Sequence, residues 1–268
     1  MNLQIISDAH MEMSGNMPII SVSGNILAML GDMADPFDDE TTRGYKHFLD
    51  YYSQLYEIIF IVLGNHEFYN RDYNKTINRV ENLCSKYKNV FLLNRSSYLI
   101  HNIRILGCTL WSNIPKEYEH KICASLRDYK CIHEGDDDNN NDLITSKNTN
   151  AWHKQDLDWL TQEIYAAENR NEQIIVLTHH APLFTGVSAP YTEDSFLKYG
   201  FCTDLKDLIA GRVKLCCSGH THWNYLQIIN GTIFYSNQVG YHNEKIKYKA
   251  QTTLKIDTTG SIIQFESL

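Results

Sequence analysis

Five short, nearly continuous apolar runs, each stopping on a polar cluster, restrict how this chain can fold. Leu3 to Ile6 stops at Ser7-Asp8-Ala9-His10, Ile26 to Leu30 at Gly31-Asp32, and Ile58 to Leu63 at Gly64-Asn65-His66-Glu67. Ile174 to Leu177 stops at Thr178-His179-His180, and Val213 to Cys217 at Ser218-Gly219-His220-Thr221-His222. Apolar runs this short, bounded by turn-forming residues, read as buried strands rather than core helices.

Helical spacing separates some of them. Tyr45, Phe48, Leu49, Tyr52, Leu55 and Tyr56 recur at a period near 3.6, as do Leu157, Leu160, Ile164 and Ala167. Strand and helix alternate, which predicts an α/β layered core. The tail differs. Tyr225 to Ile229, Thr232 to Tyr235, Thr252 to Ile256 and Ile262 to Phe265 read as strands joined by turns such as Asn230-Gly231, and are expected to form antiparallel hairpins completing a second sheet. With no internal repeat or linker, residues 1–268 are read as one domain, in which residues 111–152 form an excursion over the active site. Within that segment Gly135 to Asp142, GDDDNNND, reads as a solvated acidic loop.

Composition narrows the partners. A net charge of -8 disfavours nucleic acid, whose binding rests on Lys and Arg neutralising phosphates. No polybasic run would draw the chain to an anionic membrane, and no apolar stretch has the length of a membrane span. Seven cysteines, an odd number in no compact framework, read as reduced thiols. Met1 to Ile6 reads as a strand and not as a leader. A soluble, cytoplasmic protein is expected; the sequence names no protein partner.

The clusters carry the chemistry. Parallel strands of an open α/β sheet line up their carboxyl ends along one edge, where ligand sites form. That edge would collect Asp8, His10, Asp32, Asn65, His179, His220 and His222. Carboxylate, amide and imidazole donors suit Mn, Fe, Zn or a similar divalent ion rather than a thiolate site. Seven donors exceed the needs of one ion and suit two that share a carboxylate.

In their order and spacing these blocks resemble the calcineurin-like metallophosphoesterases, whose pattern is D-x-H, G-D-x-x-D, G-N-H-E, a histidine-bearing fourth block and G-H-x-H. Here they stand as Asp8-Ala9-His10, Gly31-Asp32-Met33-Ala34-Asp35, Gly64-Asn65-His66-Glu67, Thr178-His179-His180-Ala181-Pro182 and Gly219-His220-Thr221-His222. The resemblance implies a four-layer α/β/β/α sandwich of two mixed sheets with flanking helices. It implies one metal on Asp8, His10, Asp32 and His222, and a second on Asp32, Asn65, His179 and His220, with Asp32 shared. It further implies hydrolysis of a phosphate-ester substrate by a metal-bridging hydroxide, with His66 as general acid and Asp35 orienting it. His180 and Glu67 would stand behind the ligands.

The chain departs from the protein Ser/Thr phosphatase branch, because Pro36-Phe37 follows Asp35 where that branch carries a phosphate-clamping arginine. Arg71 and Arg127 are read as ordinary arginines, with a substitute clamp as the alternative. Thr109-Leu110-Trp111-Ser112, Arg127-Asp128-Tyr129 and His153 resemble a branch of predicted phosphohydrolases, in which Trp111 and Tyr129 are expected to pack. Two other functions stand beside the hydrolase. A nuclease of the same superfamily would need a basic groove, and an inactive protein-binding scaffold would be expected to have lost ligands.

Overall fold

The computed structural model describes residues 1–135, 143–257 and 262–266; apart from Gly135, the acidic stretch expected to be a solvated loop lies outside the described residues. The strands are β1 (Asn2–Ile6), β2 (Ile26–Leu30), β3 (Ile58–Val62), β4 (Arg71–Asp72), β5 (Val90–Leu92), β6 (Ser96–Ile100), β7 (Ile103–Cys108), β8 (Ile132–His133), β9 (Gln173–Thr178), β10 (Leu215–Cys217), β11 (Leu226–Ile229), β12 (Thr232–Tyr235), β13 (Thr253–Ile256) and β14 (Ile262–Glu266). They form two six-stranded sheets, ordered β14-β13-β1-β2-β3-β5 and β11-β12-β10-β9-β7-β6, and a small β4-β8 pair. In the first sheet β1, β2, β3 and β5 run parallel, β13 runs antiparallel to β1, and β14 antiparallel to β13. In the second, β12, β10, β9 and β7 run parallel, with antiparallel β11 and β6 at the edges. Both sheets are therefore mixed.

The apolar runs are continuous because both faces of these strands are covered. Leu3, Ile5, Ala28, Phe60 and Val62 of the first sheet meet Ile105, Ile175, Leu177, Leu215 and Cys217 of the second across the central layer. On the outer face of the first sheet, Leu27, Met29, Ile59 and Ile61 pack with Phe48, Leu49 and Tyr52 of helix Tyr45–Tyr52 and with Val80 and Leu83 of helix Tyr73–Cys84. On that of the second, Leu106, Ile174, Val176 and Cys216 pack with Leu160, Ile164 and Ala167 of helix Ser146–Asn169. This is the expected α/β/β/α sandwich. Phe60 is fully buried between the sheets, where truncation to Ala costs about 3–5 kcal/mol.

One expectation is corrected. The β11-β12 hairpin does belong to the second sheet, but the β13-β14 hairpin extends the first, pairing Asn2 with Lys255 and Leu3 with Leu254. The intervening chain crosses the ligand edge, where Val239 N–H donates to Ser7 O and Gly240 N–H to Asp8 O. It is thereby delivered to the edge of β1 not taken by β2. Strands β5 to β7 and helix Tyr73–Cys84 are additions to the sequence reading. β6 is only half-buried and carries no long apolar run, and β7 ends on no ligand cluster. Among the described residues no helix is long and apolar enough to cross a membrane.

Candidate metal centre

Every predicted ligand sits just past a strand, where the chain must turn sharply to bring it inward. Asp8, His10, Asp32, His220 and His222 all have φ between 46° and 68°. Non-glycine residues held in that region cost roughly 1–3 kcal/mol each and gather at functional sites, where the surrounding structure enforces them. Two glycines let the loops close up. A side chain at Gly64 would collide with the Asp32 carboxylate and the His179 ring, and one at Gly219 with the Asp8 carboxylate.

The structure brings all seven predicted ligands together, and they fall into two groups. In one, Asp8, His10 and His222 offer donor atoms that all lie within 4.8 Å of one another; in the other, Asp32, His179 and His220 do the same. Asp32 lies between the groups, with Oδ1 3.5 Å from His179 Nε2 and Oδ2 4.0 Å from His10 Nε2. Asn65 Oδ1 stands 3.0 Å from His179 Nε2.

The hydrogen bonds behind these atoms show what the site is built to hold. His10 Nδ1 donates to Glu12 Oε1 at 3.1 Å and His222 Nδ1 to Glu244 Oε2 at 2.6 Å. In the neutral rings both Nε2 atoms carry lone pairs and face each other at 3.0 Å, a contact that a proton on His222 bridges until metal displaces it. His179 Nδ1 donates to Leu30 O at 2.7 Å, so its Nε2 lone pair faces the oxygens of Asn65 and Asp32. Asn65 Nδ2 donates to Asp128 Oδ1 at 2.7 Å, which turns the Asn65 oxygen inward. Acceptors converging on acceptors require a proton or a metal cation between them. Neutral histidines fixed in one tautomer by a partner on the other nitrogen are how proteins present imidazole to metals. Asp8 and Asp32 are buried, and among the described residues neither pairs with a Lys or Arg. Burial and the nearby Glu67 and Asp8 carboxylates push the Asp32 pKa up, a strain that a bound cation relieves. The donor set fits divalent metal.

Glu67 holds the edge together. Its buried carboxylate accepts from the backbone N–H groups of Asp32, Met33 and Gly64 and from the Tyr45 hydroxyl. His180, read as standing behind the ligands, is buried against Trp111 and His220. Trp111 and Tyr129 are buried, as expected.

His66 lies at the rim of the same edge, its Nε2 3.9 Å from Asp32 Oδ2 and 3.2 Å from the Tyr241 hydroxyl. Its ring stacks on Tyr69 at 4.2 Å. The geometry does not support Asp35 as its orienting carboxylate. Asp35 Oδ1 accepts from Phe37 N–H and Oδ2 lies 3.8 Å from Arg71, because Pro36 turns the chain outward. The partner of His66 Nδ1 is Glu12, at 3.0 Å, so that one Glu12 oxygen serves both His66 and His10. Burial alone would raise the Glu12 pKa, yet these two hydrogen bonds pull it down to about 2. Glu12 follows His10 by two residues, a spacing the sequence reading passed over. Glu244 and Tyr241 come from the segment crossing the edge and carry no local signal; Asp128 lay inside a flagged block but without a role. Beside the ligands lies a cavity of about 250 Å³, lined by Tyr69, Arg127, Asp128, Tyr191, Phe201 and Tyr241 among others. Arg127, Asp128 and the preceding Leu126 thus bring part of the 111–152 segment to the site.

Two mixed sheets face to face between helical layers, with a buried histidine and carboxylate cluster at the strand ends, define a metallophosphoesterase. The chain belongs to the calcineurin-like phosphoesterase family, whose model matches residues 1–224. It is 34% identical over 244 residues to an uncharacterized protein of Acanthamoeba polyphaga mimivirus, across 86% of this chain and 84% of that one. Among solved structures, the phosphopantetheinyl hydrolase of Mycobacterium tuberculosis shares the fold with a TM-score of 0.65 at 17% identity, over 91% of this chain and 93% of that one.

Proposed function

We propose that this chain hydrolyses phosphate esters with two divalent ions. Asp8, His10, Asp32 and His222 would hold one, and Asp32, Asn65, His179 and His220 the other. The observation that carries this reading is the convergence of histidine lone pairs on one another and on carboxylate and amide oxygens. Ions such as Mn, Fe or Zn, when bound there, would activate water near neutral pH and neutralise charge on the phosphoryl oxygens.

The chain's own groups handle the leaving side. His66 Nδ1–H is engaged by Glu12, so Nε2 is the atom it turns to the cavity. With Nδ1–H held by Glu12, the proton that a general acid must give is carried on Nε2. His66 Nε2 then gives its proton to the departing oxygen. The Tyr241 hydroxyl, 3.2 Å from Nε2, helps hold the ring in place. Against the nuclease reading, Arg127 is the one Lys or Arg lining this cavity, beside the carboxylates of Asp128 and Glu244. Against the scaffold reading, the donor set is complete. All seven cysteines are free thiols, which supports a reducing, cytoplasmic compartment.

The test is His66→Asn assayed on esters of graded leaving groups in the Mn-loaded chain. Loss of a general acid should cost about 10²–10⁴ in kcat, more for alkyl esters than for p-nitrophenyl esters, whose oxygen departs without help. An equal loss on both would remove His66 from the acid role.

A further inference from the structure

The metal edge opens in two directions. The central cavity shares His66, Tyr69 and Arg127 with a cleft of about 260 Å³ that also holds Glu12, Asp35 and Arg71. It shares His222 and Glu244 with another, of about 470 Å³, walled by Trp223, Asn224, Lys245 and Lys247. A phosphorus atom held at the ligands therefore has one cleft on the His66 side and one on the His222 side. A departing oxygen must reach His66 Nε2, which places the leaving group on the His66 side of the central cavity, toward the first cleft. The second holds no histidine besides the ligand His222, yet it is furnished for a substituent. The Trp223 indole, 42% exposed, stands directly after the ligand His222. Lys245 and Lys247 are exposed and make no ion pair among the described residues. A monoester has one substituent and needs one exit.

From these two exits we infer that the substrate is a phosphodiester, whose retained substituent carries a planar aromatic or heteroaromatic group stacked on Trp223 between Lys245 and Lys247. This rests on the phosphoesterase reading above. Water oxygen bonds to phosphorus and the bond to the leaving oxygen breaks. His66 protonates that oxygen and regains a proton from solvent, to which the attacking water has lost one. The products are an alcohol, leaving on the His66 side, and a monoester on the Trp223 side.

The test compares the p-nitrophenyl ester of thymidine 5′-monophosphate with p-nitrophenyl phosphate in the Mn-loaded full chain. The diester should be favoured at least about tenfold in kcat/KM. Trp223→Ala should raise the diester KM by about tenfold, the usual size of one aromatic stacking contact, and by much more than it raises the monoester KM. Calorimetric binding of the diester to His66→Asn should weaken by the same factor when Trp223→Ala is added. Turnover of the monoester alone, or a Trp223→Ala effect that is nil or equal on both esters, would overturn the diester inference and leave the phosphoesterase reading intact. No metal-dependent turnover of either ester would overturn both.

Discussion

The two halves of the metal edge are held in different ways. Around His179 the supports are buried and mostly fixed by the backbone: the Leu30 carbonyl takes the His179 proton, and Asp128 behind Asn65 is itself buried. Around His222 the supports are glutamates at the rim. Glu12 and Glu244 take the His10 and His222 protons, and Glu244 is 36% exposed in its side chain. The first half is formed by folding itself. The second depends on side chains from a four-residue helix and from the segment crossing the edge; burial lowers the His10 pKa, whereas carboxylate partners outweigh burial at His222 and raise its own. The halves should therefore differ in what weakens them and in the pH at which they take up metal.

The largest expected effect is at Glu12, which serves both a ligand and the acid. Glu12→Gln should lower kcat/KM by about 10–100-fold, the usual cost of removing a partner behind a metal ligand, whereas Asp35→Asn should stay within about twofold. Steady-state kinetics on the pair decides between the carboxylate that the motif suggests and the one that the geometry supplies.

A smaller effect separates the halves. Glu244→Gln should weaken one of two metal-binding steps by about tenfold and spare the other, while Asp128→Asn should weaken the opposite step by a similar factor. Isothermal titration with Mn reads both. If the two variants weaken the same step, the halves are not independent.

The smallest effect is in protons. Burial pushes the metal-free His179 pKa down to about 4, so this ring is neutral and ready above about pH 5. Burial also opposes the charge on His222, but hydrogen bonds with Asp8 and Glu244 outweigh it and bring its pKa up to about 9. At pH 7.5 metal must then expel a proton from the His222 ring and none from the His179 ring. Affinity in the His222 half should fall as pH drops below about 9, because the proton competes for the same nitrogen. Calorimetry in buffers of different ionisation enthalpy should find at least one proton released per chain; zero would break the contrast.

What could be read from the sequence was what depends on local order. Leu27 to Leu30 and Ile174 to Leu177 are apolar throughout because each is covered on both faces, and their ends place the ligands on one edge. The destination of Thr253–Ile256 was not legible, since pairing with β1 or with the second sheet asks the same of those residues. Glu244 acts on a ring contributed by another element, so nothing in its own neighbourhood distinguishes it from a surface acid; Glu12 stood two residues from the ligand His10 and Asp128 inside a flagged block, but the partners that give them their roles, His66 and Asn65, lie far off in sequence. Asp35 misled for the converse reason: its motif position is right, but Pro36 and Arg71 draw its carboxylate elsewhere.

The central claim is that this edge holds two divalent ions through a shared Asp32. Metal content measured by mass spectrometry, on the chain stripped with chelator, reloaded with Mn and desalted, tests it most directly. Two ions per chain, falling to one or none in Asp32→Asn with folding retained by circular dichroism, is the predicted result. One ion or none in the unaltered chain, or two retained in Asp32→Asn, would contradict it.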